Sequence, residues 1–382
     1  MKKILFILVI ALIGQSVIAQ RAALVVQKKK VGFIKPDGSW LVEPTYKYAG
    51  SFADGLAPFK ENKKWGYLNT KGEVAIKPTY AKAKSFDSGL AIVLLDKKWM
   101  YINKKGEEVK MPDSKELYSF ENGVAYIKQN DLVGLINPKG EVILEPTYDK
   151  IYAFKNDHAK VKKGEFYGLI DNRGKLVLPL EYEGLGIWSE GNLTAKKDGV
   201  SGMIIDGKFT RVEGVLKIWD FRDGEELTYA NDALKLVGFI NRKGEWVIKP
   251  KYKKVRGFLN GLAPVMTVDK WGYINEKGDM VIPEKYIDAE IFSKDGLAPV
   301  RIDKQWGFID TSGKLIIEAN YDISNREMFG VSLLFKKGNE KGFHEGFARV
   351  TRKKKWGFLD TKGNLLNNTW FERAESFTDI NK

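Results

Sequence analysis

The stretch Asp269–Gly278 reads DKWGYINEKG and sets an indole, a phenol, two carboxylates and two lysines within ten residues. Such groups could stack on a sugar and move a proton, the equipment of a carbohydrate site. Close copies recur as KKWGYLNTKG from Lys63, KQWGFIDTSG from Lys304 and KKWGFLDTKG from Lys354. A catalytic site is built once, so the recurrence points to architecture.

Other chemistry-bearing residues are sparse. His158 and His344, the two histidines, lie 186 positions apart, each read as sitting in the strand that follows an F-x-x-G-like turn. With no cysteine, the chain has no disulfide, thiol nucleophile or Cys-based metal site, and nothing pairs either imidazole with a relay or a ligand set. G-x-S-x-G, the P-loop and a helix-opening G-x-G-x-x-G are all missing. The 49 acidic residues offer many carboxylate pairs, the minimum for a glycosidase, but no pair stands out. Turn carboxylates have Lys or Arg beside them, at 71, 105, 139, 173, 243, 277 and 362, against repeated calcium loops. The reading is therefore no catalytic residue, no cofactor and no metal.

What must position these residues is a repeat. The Gly of the WG-like dipeptide falls at 32, 66, 134, 168, 202, 238, 272, 307 and 357, with Met100 in its place in the third copy. Intervals are 34 to 36 residues except the last, which is 50 and carries an insertion. Each of the ten copies follows F-x-x-G-L-A-x-V, a charged turn, W-G-(Y/F)-I-(N/D), a turn ending in Gly, an apolar strand and P-x-Y. In the clearest copy three strands are expected, Leu262 to Val268, Trp271 to Asn275 and Met280 to Ile282. Asn or Asp opens the second turn in eight copies and Gly closes it in all ten, from Gly38 to Gly363. Those residues predict a type I turn followed by a bulge whose Gly has positive φ. Trp at 65, 99, 271, 306 and 356 is replaced elsewhere by Val31, Val133, Tyr167, Ser201 and Val237, which suits a half-buried stacking position better than an obligatory indole. Tyr46, Tyr80, Tyr148, Tyr182, Tyr252, Tyr286 and Tyr321, with Phe371, mark a packing position between units.

KKWGYLNTKG, DKWGYINEKG and their equivalents, each led by DGLA or NGLA in the clear copies, resemble the WG repeat family, also called KWG repeats. The likeness covers essentially all the chain after its first residues. It implies a β-rich repeat module common in bacterial exported proteins, with no catalytic residues to carry over. Copy three departs from the pattern with Met100 and Ser114, and copy six with Ser201 and a turn one residue shorter.

The fold class expected is all-β, a tandem array of ten three-stranded meander units. An open β-hairpin superhelix is favoured for so many short units, with a closed β-propeller-like ring as the alternative. Residues 1–19 read as a signal peptide, Lys2 and Lys3 before an apolar run from Ile4 to Ile13, cleaved after Ala19. That run is shorter than the roughly 20 residues a membrane span needs, and no other segment qualifies. Repeats one to five occupy 20–184, a divergent sixth repeat 185–230, and repeats seven to ten 231–382 with the insertion near 322–342.

Net charge is +14, and removing Lys2 and Lys3 leaves +12. Such an excess favours anionic partners. Export to the periplasm, cell surface or medium makes nucleic acid an unlikely one. The expected role is a non-catalytic binding or scaffold module for an anionic polysaccharide, peptidoglycan or a protein partner. A carbohydrate-active enzyme or sugar-binding module using exposed Trp and Tyr with a carboxylate pair is the competing class. Candidate contact residues are the lysines before the WG strand, Lys63, Lys64, Lys97, Lys98, Lys270, Lys304, Lys353, Lys354 and Lys355, which would form a basic ridge if the units stack in register. Phe329, Leu333, Leu334, Phe335, Lys336 and Lys337 in the insertion are further candidates, as an edge cover or a recognition element.

Overall fold

The computed structural model describes residues 20–323 and 341–382. The insertion residues Phe329, Leu333, Leu334, Phe335, Lys336 and Lys337 lie outside these. The chain opens with β1 (Arg21–Gln27), β2 (Lys30–Ile34) and β3 (Trp40–Tyr46), an antiparallel meander. The second unit follows as β4 (Tyr48–Ala49), β5 (Leu56–Glu61), β6 (Lys64–Asn69) and β7 (Val74–Tyr80), paired in that order. The same all-β unit repeats around the molecule. In units two, three and five to nine the meander of three strands is extended by a two-residue first strand, such as Lys254–Val255 in unit eight, too short to show in an alternation pattern, whereas unit four keeps three strands alone.

Three turns of two kinds hold a unit together. The first hairpin turns on pairs such as Asp54 and Gly55, both at positive φ (52° and 82°), the geometry that suits a two-residue link between twisted strands. The second hairpin does the same with Asn62 and Lys63 (46° and 64°) or Lys353 and Lys354 (47° and 62°). At the third turn Asn275 Oδ1 accepts the backbone N–H groups of Lys277 and Asp279, at 3.0 and 2.9 Å, and Gly278 sits at φ 88°. This is the turn that the Asn and Gly pattern predicts. In copy six the shorter turn is a two-residue link of Asp206 and Gly207 instead.

The Gly of the WG pair has a separate reason. Trp271 pairs with Tyr286 and Tyr273 with Ile282, so the fourth strand, Met280–Tyr286, bulges opposite Gly272. A Cβ on Gly272 would lie 2.5 Å from the Ile282 carbonyl oxygen and 2.7 Å from the Glu284 nitrogen. The outer strand can cross only where no side chain stands. Pro283 falls in this bulge, where a missing N–H leaves the ladder intact. The strand therefore runs on through P-x-Y to Tyr286, beyond the Ile282 end expected from sequence.

Each unit is too thin to own a core and shares one with the next. Tyr273, Trp271, Ile282 and Tyr286 pack against Ala289, Phe292, Ala298 and Val300 of unit nine. Tyr67, Ile76 and Tyr80 likewise meet Ala83, Phe86 and Val93 of unit three. The WG tyrosines lock the joint by donating to the following unit's backbone: Tyr67 to the Lys84 carbonyl at 2.7 Å, Tyr101 to Tyr118 at 2.7 Å and Tyr273 to Glu290 at 2.9 Å. Burial pushes these phenols up, that of Tyr101 to about 12.

Unit one obtains its missing first strand from the other end of the chain. Val25 pairs with Ala374 and Val26 with Arg373, while Arg21 and Ala22 pair with Asp379 and Thr378. Val25 and Ala23 share a core with Phe358, Phe371 and Phe377 of unit ten. The array thus closes on itself as the ring held as the alternative, and the open superhelix is corrected. An open array would leave the edge of β1 unpaired, and the ring removes that edge.

Across 185–230, where the signature frays, the sheets continue as Gly184–Leu185, Leu193–Lys197, Val200–Ile205 and Lys208–Arg211, then Lys217–Ile218 and Leu227–Asn231. Polar contacts do part of the joining there. The Arg242 guanidinium donates to the Ser189 carbonyl at 2.8 Å and pairs with Glu190 at 3.0 Å, while Asn156 and Ser189 both donate to Asp223 at 2.8 Å.

Candidate functional site

The expected basic residues fall on one face of the ring, at the second hairpins of units two, three, eight, nine and ten. Lys63, Lys97, Lys353 and Lys354 occupy the turns, Lys64, Lys98 and Lys355 open the strands that follow, and Lys304 precedes Gln305–Ile309. All of these are exposed, and Lys270 is half-buried in a longer loop. Lys98 pairs with Glu108 at 2.9 Å, and the others form no ion pair among the described residues. All four turn lysines stand at positive φ, Lys63 at 64°, Lys97 at 67°, Lys353 at 47° and Lys354 at 62°, a region that costs a side-chain-bearing residue about 1 kcal/mol.

Beside these turns, cations lie over aromatic faces in unit after unit. Lys60 stands 5.6 Å from the Trp65 ring centre, Lys82 5.8 Å from Trp99, Lys217 4.5 Å from Trp219, Arg256 4.6 Å from Trp271 and Arg349 4.9 Å from Trp356. The indoles serve chiefly as packing, as the Val replacements imply. Trp271 and Trp306 are buried and Trp65 and Trp356 half-buried, while Trp99 is exposed.

The same face bears a groove of about 820 Å³ across units seven, eight and nine. On one side Trp219 stacks on Tyr229, ring centres 5.0 Å apart and planes at 29°. Burial raises the Tyr229 phenol, which keeps it a neutral hydrogen-bonding group at neutral pH. Trp271 forms part of the floor beneath Arg256. Arg256 is itself neutralised by Asp288 at 3.0 Å and Glu290 at 3.3 Å. Lys235, Lys254 and Arg301 also line the groove and form no ion pair among the described residues. Two buried polar atoms in its lining have no hydrogen-bond partner, the Asn231 Oδ1 acceptor and the Arg301 Nε donor.

Sequence reading did not single out these groove residues. The available signal was their departure from the repeat. The position that pairs with the WG aromatic is Lys60, Lys128, Lys162 or Lys196 in units two, four, five and six and Val26, Leu94 or Thr351 in units one, three and ten, but Asn231, Met266 and Arg301 in units seven to nine.

The histidines are not brought together. His158 opens the strand after its turn in unit five and stacks on Trp188, whereas His344 lies on the strand before its turn in unit ten. Among the described residues no cluster of three or more His, Asp or Glu could hold a metal ion, and no helix is long and apolar enough to cross a membrane.

A family model described as WG containing repeat matches residues 32–65, 65–99, 99–132, 134–165, 167–200, 238–271, 271–306 and 306–323, well over half the chain. No curated protein matches the sequence. Among solved structures, a eukaryotic initiation factor is similar over 78% of this chain and 95% of its own, at 10% identity and a TM-score of 0.44. BamB from Moraxella catarrhalis is similar over 76% of this chain and 91% of its own, at 9% identity and a TM-score of 0.31. PorZ, a surface component of the type-IX secretion system of Porphyromonas gingivalis, is similar over 93% of this chain and 58% of its own, at 9% identity and 0.25. All three scores lie below the level at which a shared fold follows.

Proposed function

The chain belongs to the family of proteins built from WG-containing repeats, and from its basic, aromatic face we propose that it is a non-catalytic, exported binding or scaffold protein for an anionic envelope polymer. The observation that carries this reading is the backbone at Lys63, Lys97 and Lys354. Asn or Gly would adopt those left-handed positions with less strain. A lysine needed only for solubility has many easier places to stand. Keeping the charge at the tip of the hairpin, against the backbone's preference, supports a partner that meets the tips.

The ring gives this charge its use. A polymer lying along the face meets one tip after another, and linked weak contacts add as avidity. Exposed lysines act through long-range attraction, which salt screens over about 8 Å at physiological strength. The protein should be retained on an immobilised polyanionic polysaccharide at low salt and released as salt rises. Equal retention on a neutral polysaccharide, or none on the polyanion at low salt, would defeat the proposal.

A further inference from the structure

We infer that the groove across units seven, eight and nine is a discrete site for a short carboxylated oligosaccharide, an inference that rests on the polymer-binding reading and gives it a specific contact. A cavity of about 820 Å³ falls within the range of small-ligand sites and has room for a few sugar rings. Its walls supply what such a ligand needs. The exposed parts of Trp219 and Tyr229 offer aromatic surface for the C–H face of a pyranose. The unpartnered atoms are of opposite kind. Arg301 Nε requires an acceptor and Asn231 Oδ1 a donor, and each is costly to leave buried and unmatched. A uronate provides both, carboxylate oxygens for Arg301 and hydroxyl groups for Asn231.

Charge selects the acid over a neutral sugar. Of the groove's basic residues, Arg256 is committed to Asp288 and Glu290 and Lys253 donates to the Val268 carbonyl at 3.4 Å, which leaves Lys235, Lys254 and Arg301 to be met from outside. Asp269 is the one lining carboxylate without an ion-pair partner among the described residues. The site is therefore positive overall and keeps direct guanidinium contact available. No other place in the described residues combines these features, because Trp219 and Asn231 come from unit seven, Lys254 from unit eight and Arg301 from unit nine, and Asn231 and Arg301 stand where four other units carry Lys.

The test is calorimetric titration of the signal-free protein with trigalacturonate and with its methyl ester. The acid should bind saturably, and the ester about tenfold or more weakly, since esterification removes the charge-assisted contact. Arg301→Gln and Lys254→Gln should each weaken the acid by about the same factor, while Lys175→Gln, on an exposed turn of unit five, should bind it as the parent does. Lys254 is exposed, so its variant carries the test if Arg301→Gln proves unstable to heat. Equal binding of acid and ester overturns the inference, as does parental affinity in both groove variants. A protein that holds the long polyanion but ignores trigalacturonate overturns the groove and leaves the polymer reading standing. A protein that binds neither overturns both.

Discussion

Unit eight and unit three share a signature up to two positions: Gly272 and Tyr286 in one correspond to Met100 and Ser114 in the other. In unit eight the fourth strand runs seven residues, Met280–Tyr286, and crosses Gly272 in a bulge. In unit three the fourth strand is Glu108–Val109 alone, and the chain leaves the sheet before it reaches Met100. The consequence is visible at the indoles. Trp271, covered by Tyr286, is 7% exposed, whereas Trp99, with no such partner, is 41% exposed. The WG glycine is thus a licence for the outer strand, and where it is lost the outer strand goes with it.

The contrast can be broken from either side with the same new residue. Gly272→Ala adds one methyl group, yet that carbon would press on the backbone of Ile282 and Glu284, which cannot swing aside. We expect it to cost about 3 kcal/mol and to move Trp271 toward water, read by denaturant unfolding and a red-shifted emission against a Trp271→Phe control. Met100→Ala removes several atoms from a half-buried position, yet no outer strand crosses there. Its expected cost is about 1 kcal/mol, with no change in how the outer strand sits. If Met100→Ala proved the more damaging, the strand-crossing account would be wrong.

A smaller effect sharpens the comparison at high pH. The Tyr101 phenol is raised from 10.0 to about 12, and that of the more deeply buried Tyr273 well above 10.0. Both are neutral in the folded protein and ionise near 10 when unfolded. Between those values the unfolded chain holds fewer protons, so stability is fully present below about pH 10 and falls as pH rises through about 12. Tyr101 should ionise before Tyr273 in a tyrosinate absorbance titration. Tyr101→Phe should remove the earlier of these two buried steps, and an unchanged profile would contradict the ordering.

Much of this architecture was legible because each unit states its own local chemistry. The Asn275 to Gly278 turn, the strand Trp271–Asn275 and the number of copies all follow from residues that are neighbours in sequence. What stayed hidden lies between distant residues. Ring closure rests on β1 meeting Arg373–Ala374, and neither segment announces a partner. The two-residue first strands are set by the neighbouring sheet and have no period of their own. The groove escaped for a related reason: Trp219, Asn231 and Arg301 look like lapses from a pattern until three units stand side by side. Repetition made the scaffold easy to see and drew attention away from its exceptions.

The pairing of β1 with Arg373–Ala374 also fixes an order of events. Contacts within and between adjacent units are local in sequence and can form as the chain emerges, but this seam joins residues near opposite ends. Until the seam forms, the molecule is a string of paired sheets with a bare hydrogen-bonding edge at its start. An interrupted or clipped chain therefore presents a template for another copy's strand, whereas a completed one does not. Completion itself is what makes the protein safe at high concentration.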